Sequence, residues 1–333
     1  MKTVIDGDTI EIRGMRADEA EKRLQLQFES YREYASGPED PKYTDPETHG
    51  RLQRVDPSME PRQNRLLFCN GRLASSVSVY LWHCRLSGLT PKAGLIGGVC
   101  THPDFRRRGF VRMLMGDVLS FMKQEDCSLS WLYGKNKVYG SSGYREFLRF
   151  PVLTCRVQRA EPHKEPFNIR PTDRFTDIPE IKTIYESWNR GLSGPMERSK
   201  DDWMHRVLGP GAREGWDCFS TALKENRIIG YYQLLPDGSI GEFGADSPDS
   251  ARLLLESVAE KTKGVLAFNY CFPDLMELCR SLPGAELSVE YQRHGMWQLF
   301  RGEEAGLPKG SGTDELLKLL EEIPFVYYRM DRF

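Results

Sequence analysis

Arg106, Arg107, Arg108 and Gly109 stand between a stretch of strand character and a stretch of helix character. Upstream runs Gly97-Gly98-Val99-Cys100-Thr101-His102, closed by Pro103-Asp104 as a turn. Downstream, Phe110 opens a segment with Val111, Leu114, Val118 and Phe121 at helical spacing. The first turn of a helix carries backbone N–H groups without intrahelical partners, and the helix dipole favours an anion there. Three guanidinium groups add charge, and a glycine permits close backbone approach. Residues 106–111 therefore predict a phosphate cradle. It has neither the Lys-Ser/Thr pair of a P-loop nor the three glycines of a dinucleotide fingerprint. The competing reading is an ordinary basic helix start on a solvated surface. A second chemistry is geometrically open in the same stretch: Cys100 as an acyl nucleophile with His102 as its base, since residues i and i+2 share a strand face. A buried structural cysteine is the commoner use of that residue type.

The elements that position this loop can be read in order. Ile10 and Ile12 alternate with polar residues as a short strand, and Asp18 to Tyr31 places Leu24, Phe28 and Tyr31 on one helical face. Residues 36–64 lack periodicity and predict a long loop forming part of a substrate rim, with Glu39, Asp40, Asp45 and Glu47 as its acidic residues. Leu66-Leu67-Phe68, the Asn70-Gly71 turn, and Val77, Val79 and Leu81 form a hairpin pattern. A turn at Ser87-Gly88 leads into the strand before the cradle. After the helix come a buried strand near 127–133, a short helix near 136–141, and a strand near 147–155. The order β-α-β-β-β-α-β-α-β describes a mixed α/β (α+β) sheet with helices on both faces.

Val99-x-Thr101-x-Pro103-x-x-Arg106-x-x-Gly109-x-Val111 resembles motif A of the Gcn5-related N-acetyltransferases, the GNAT superfamily, and Tyr139-Gly140-Ser141-Ser142-Gly143-Tyr144 resembles its motif B. The resemblance implies acetyl-CoA as co-substrate and no metal. It assigns Val99, Cys100 and Thr101 to the pantetheine arm, and Arg106, Arg107, Arg108, Gly109, Phe110 and Val111 to the pyrophosphate. Val111 stands where Gly or Ala is usual, a mild departure because the amide does the binding. Tyr139 takes the position of the general acid, and a phenol of pKa ~10 can protonate a departing thiolate with little penalty.

The second half is a faded repeat of the first. Ile12-Arg13 recurs as Ile169-Arg170 and Glu29-Ser30-Tyr31 as Glu186-Ser187-Trp188, both offset by 157 residues. Asn70-Gly71-Arg72-Leu73 is echoed by Asn226-Arg227-Ile228-Ile229, and Pro103-Asp104 by Pro248-Asp249. Asp177, Pro179 and Glu180 predict an N-cap, an early proline and a capping-box partner for the second copy's first helix. After Pro248-Asp249 the chain passes straight into helix without an Arg-Arg-Arg-Gly equivalent, so a single cofactor site is expected, in the first copy.

Tandem copies of this kind resemble the Eis (enhanced intracellular survival) acetyltransferases, which pair an active GNAT region with a degenerate one. The expected domains are 1–157 with the acetyl-CoA site, 158–301 as the degenerate second copy, and a helix-and-strand tail at 302–333. That tail is too short for the sterol-carrier-like domain of Eis proteins. The resemblance further implies that the α-carboxylate of an aromatic last residue, here Phe333, acts as the base. The apolar run Phe325-Val326-Tyr327-Tyr328 predicts that the tail packs.

Composition bounds the rest. The 333 residues suffice for two ordinary domains, and a net charge of −2 gives no reason to expect nucleic acid or an anionic membrane as partner. Eight scattered cysteines form no CxxC pair, which leaves zinc and redox motifs unsupported and makes a reducing cytoplasm the expected compartment. The expected partner is a small amine, polyamine-like or aminoglycoside-like, and a homo-oligomer is left open. Two alternatives stand: transfer of another acyl group, and a non-catalytic CoA-binding scaffold.

Overall fold

A computed structural model describes residues 1–32, 59–158, 167–209, 216–328 and 331. The expected substrate rim, with Glu39, Asp40, Asp45 and Glu47, and the proposed base Phe333 lie outside the described residues. In chain order the first part contains β1 (Lys2–Ile5), β2 (Asp8–Gly14), α1 (Ala20–Tyr31), β3 (Asn64–Cys69), β4 (Arg72–His83) and β5 (Lys92–Thr101). Next come α2 (Phe110–Gln124), β6 (Leu129–Leu132), α3 (Asn136–Tyr139), β7 (Arg145–Glu146) and β8 (Phe150–Arg156). The second part contains β9 (Asn168–Pro171), α4 (Ile178–Trp188), β10 (Phe219–Lys224), β11 (Arg227–Leu234), β12 (Ser239–Ala245) and α5 (Pro248–Lys261). It continues with β13 (Val265–Phe268), α6 (Pro273–Arg280), β14 (Glu286–Gln292), β15 (Met296–Leu299) and α7 (Thr313–Glu322).

Two mixed sheets result, ordered β1-β2-β3-β4-β5-β6-β15-β7 and β14-β8-β13-β12-β11-β10-β9. Each has one parallel pair, β5 with β6 and β12 with β13, where a helix crosses between strands. The sheets do not part at residues 157 and 158. β8, on the near side of that boundary, pairs with β13 and β14 in the second sheet, while β15 pairs with β6 and β7 in the first. The exchange joins the cores: Trp131 of β6 stacks on Trp297 of β15 with ring centroids 4.4 Å apart, and Phe147 and Phe150 meet Phe325 of the tail. Of the tail, α7 forms as expected, and among the described residues the expected strand is reduced to one isolated bridge between Phe325 and Ser193.

The duplication survives in side-chain detail. In the first copy Arg13 donates twice to the Glu19 carboxylate at 2.7 Å, and that carboxylate also accepts from the Arg16 N–H at 2.8 Å. In the second, Arg170 donates twice to Asp177 at 2.6 and 2.7 Å, and Asp177 accepts from the Asp173 N–H at 2.9 Å. Asp177 is the N-cap residue of α4 and Pro179 lies in its first turn, as expected, but the capping box does not form: the Asp177 carboxylate holds the strand-to-helix turn rather than an N-terminal amide of α4, and Glu180 accepts from the Ile228 N–H at 3.1 Å. The hairpin turns repeat as well, with Asn70 and Gly71 at φ +50° and +79°, and Glu225 and Asn226 at +52° and +64°. Among the described residues no helix is long and apolar enough to cross a membrane.

Candidate active site

β5 and β6 run side by side only from Ala93–Ile96 against Leu129–Leu132, and beyond Ile96 they part into a fork. On its other edge β5 stays paired with β4, through a register shift between Ser76 and Ser78. Gly98 makes that bulge with φ +57°; a Cβ there would stand 2.8 Å from the Gln27 amide and 2.9 Å from the Ser78 hydroxyl, so a larger residue is excluded twice over. The His102 N–H donates to the Ala74 carbonyl at 2.9 Å. By antiparallel alternation, Thr101 therefore turns its peptide groups away from β4, into the fork. The Val99 carbonyl accepts from the Tyr31 hydroxyl at 2.8 Å, which ties the end of α1 to the bulge.

The loop that closes the fork curls at a helix start. Arg107 and Gly109 both take left-handed backbone conformations, φ +62° and +76°, and Gly109 is the N-cap of α2. Such turns curl successive N–H groups into a concavity, here continuous with the unpaired amides of the helix start. The resulting groove has a volume of about 400 Å³. Val99, Cys100 and Thr101 form one wall, and Arg106, Arg107, Gly109, Phe110 and Val111 the other. Tyr31, Arg112 and Val138 also line it and were not singled out from sequence. Arg112 follows the cradle by one helical step, and that spacing was the available signal.

The arginines divide their work. Arg106 donates to the Ser30 carbonyl at 2.9 Å, with a longer contact of 3.4 Å to the Thr101 carbonyl, so it clamps the loop onto α1 and β5. Arg108 does not line the groove; it pairs with Asp8 and lies over the Phe110 ring at 4.8 Å. That pairing is non-local, since Asp8 sits a hundred residues earlier in β2. Cys100 and His102 are not brought together as nucleophile and base. The Cys100 sulfur lies 3.4 Å from the Ser76 hydroxyl, and burial pushes its thiol pKa up. His102 Nδ1 accepts from the Asp104 N–H at 3.2 Å while Nε2 faces Glu29 at 3.2 Å.

Tyr139 ends α3 and is nearly buried. Its ring lies against Gly134, just past β6, where a Cβ would come within 2.2 Å of it. The aromatic ring thus needs glycine at 134 to reach the far arm of the fork. Burial pushes the Tyr139 phenol up to about 12, so it keeps its proton throughout the neutral range.

Residues 11–147 match the family model of the acetyltransferase (GNAT) domain. That match, over less than half of the chain, makes the first sheet and its fork a GNAT domain, the domain of N-acetyltransferases. Two GNAT-like units in tandem give the chain the fold of several solved structures. A GCN5-related N-acetyltransferase from Kribbella flavida superposes with TM-score 0.61 at 15% identity, covering 88% of this chain and 71% of that one. Eis1 from Mycobacterium abscessus gives 0.56 at 16% identity, covering 87% and 73%. The Saccharomyces cerevisiae N-myristoyltransferase with bound myristoyl-CoA gives 0.51 at 9% identity, covering 88% and 84%. No curated protein matches by sequence. Proteins of the GNAT family bind acetyl-CoA or CoA and acylate small-molecule or protein amines.

Proposed function

We propose that the fork of the first sheet binds acetyl-CoA and that the protein transfers its acetyl group to a primary amine of a small polycationic acceptor, aminoglycoside-like or polyamine-like. The observation that carries this reading is the meeting of a parted strand edge with a left-handed loop at a helix start. One offers peptide groups for the pantetheine amides through Val99 to Thr101; the other offers amides for the pyrophosphate from Arg106 to Val111. Arg107 and Arg112 add charge at the same wall. The amine nitrogen attacks the thioester carbonyl directly. The C–N bond forms, the C–S bond breaks, and Tyr139 gives its proton to the departing sulfur. A phenol held at about 12 is fully protonated at pH 7 and so is charged with the proton it must deliver. The α-carboxylate of Phe333 is carried as the base; the tail's approach to β6 at Tyr327 supports it.

The test is a CoA-release assay over an amine panel with acetyl-, propionyl- and longer acyl-CoA. Turnover is expected with acetyl-CoA and polyamines or aminoglycosides. Tight CoA binding without turnover on any amine would leave the scaffold reading in possession. Tyr139→Phe should lower kcat by about 100-fold with unchanged CoA affinity; a wild-type kcat would remove it as the acid.

A further inference from the structure

Arg198 is buried in the second half with two carboxylates around it. Its Nη1 and Nη2 donate to the two oxygens of Glu242 at 2.7 and 2.8 Å, and Nη2 and Nε donate to Asp331 Oδ1 at 2.9 and 3.1 Å. All three side chains are at most 3% exposed. The rings of Tyr185 and Trp203 lie over the guanidinium at 4.4 and 4.8 Å. Glu242 belongs to β12 beyond Ile240, the last residue paired with β13, so the cluster sits in the fork of the second sheet. A buried ion pair is weak evidence for stability, because apolar packing of the same volume often serves as well. Its distinctive property is geometry: four directional bonds fix the guanidinium and the carboxylates in one arrangement.

The segment it holds runs past both forks. Backbone bonds pin one end, Val326 N–H to the Ser193 carbonyl at 2.7 Å and Ser193 N–H to the Pro324 carbonyl at 3.1 Å. Asp331 pins the other. Between them the Tyr327 hydroxyl donates to the Asp331 carbonyl, while the Tyr327 ring stands 5.8 Å from Trp131 and 6.2 Å from Tyr133. Tyr133 precedes Gly134, against which the Tyr139 ring lies. A path thus leads from Arg198 through Asp331 and Tyr327 to Tyr133, and through its chain neighbour Gly134 to Tyr139.

We infer that Arg198 and Asp331 are positioning residues for acyl transfer: their ion pair in the fork of the second sheet sets how Tyr327 lies on the arm of the first fork that carries Tyr139. Its kinetic readout rests on the proposed acyl transfer. Asp331→Asn is the decisive variant, since it keeps the shape and leaves Arg198 paired with Glu242. The expected result is a kcat about tenfold lower with acyl-CoA KM within about twofold, because the groove wall of β5 and α2 is untouched. Tyr327→Phe, which keeps the ring and removes the hydroxyl bonded to Asp331, should lower kcat by about threefold in the same pattern. A wild-type kcat in Asp331→Asn overturns the inference. So does a variant that loses kcat, acyl-CoA affinity and about 10 °C of Tm together, which is what a purely structural role would produce. Hydrogen exchange of the wild type and Asp331→Asn is measured in parallel at residues 131–134. Faster exchange there in the variant is expected, and equal exchange overturns the inference. Should the wild type acylate no amine, the functional reading fails and the exchange comparison decides the positioning role alone.

Discussion

The two copies share strand order, hairpin turns, an arginine–carboxylate staple and a parted pair of parallel strands, yet they treat their forks oppositely. In the first, the helix after the fork starts from a left-handed Gly109 and the opening is a groove. In the second, Ser247 caps α5 in the ordinary way, its hydroxyl accepting from the Ser250 N–H at 3.2 Å. Arg198 and Glu242 occupy that fork, and Tyr328 packs on Tyr270 just past β13 and donates to Asn189 at 2.7 Å. A helix start needs only a cap, so the second copy shows what the fold requires and the first shows what has been added to it. The addition is a strained loop, with an arginine held at positive φ where most side chains are disfavoured.

The comparison can be pressed hardest at Gly109. Gly109→Ala finds room for its methyl group, so its effect is conformational alone, about 1–2 kcal/mol for a left-handed residue. Acyl-CoA affinity measured by calorimetry should fall about tenfold on that account, whereas Ser247→Ala should leave affinity unchanged and lower stability by about 1 kcal/mol. Equal affinity in Gly109→Ala and the wild type would mean that the loop's curl is not the binding device.

The staples offer a smaller, symmetrical test. Hydrogen bonding from Arg13 holds the Glu19 carboxyl down at about 2. Burial works against ionisation at Asp177, and Arg170 with the Asp173 N–H outweighs it, so that carboxyl too is held below its ordinary range. For a lowered pKa the stabilisation is present above the unfolded value and disappears as pH falls through the folded one. Denaturant unfolding of Glu19→Gln and Asp177→Asn should each show a loss of about 1–2 kcal/mol at pH 7, shrinking for Glu19→Gln as pH falls from 4.5 toward about 2, and for Asp177→Asn as pH falls below the ordinary aspartate value of 3.8. A loss that stays constant across that range would show that the charge is not what these carboxylates contribute.

The smallest effect is expected at Arg108. Its charge is spent on Asp8, so Arg108→Ala should change acyl-CoA affinity by less than about twofold at moderate salt. A tenfold loss would return this residue to the phosphate site.

Much of the site could be read without coordinates because its determinants are local. Thr101, the Pro103 turn, Gly109 and the apolar spacing after Phe110 lie within a few residues of one another. Backbone sterics and unpaired helix amides act over that range. Tyr139 was legible only through a motif; nothing in its own neighbourhood reveals that Gly134 is bare to receive its ring. Tyr31 was legible as a helical-face aromatic, but its bond to the Val99 carbonyl spans 68 positions and left no trace in spacing.

The sequence alone determined the repeat, the hairpins, most of the order of elements (β1 and β7 aside) and the place of the loop that opens α2, since periodicity, turn chemistry and capping are properties of short segments. Tertiary structure decided what long-range pairing decides. It placed β8 in the second sheet and β15 in the first, turned Arg108 to Asp8, and turned the carboxylate of the N-cap residue Asp177 to Arg170. It also laid the tail across both copies, where Asp331 meets an arginine 133 positions earlier. Edge strands and buried charges find partners by proximity in space, and no local pattern records which partner that will be.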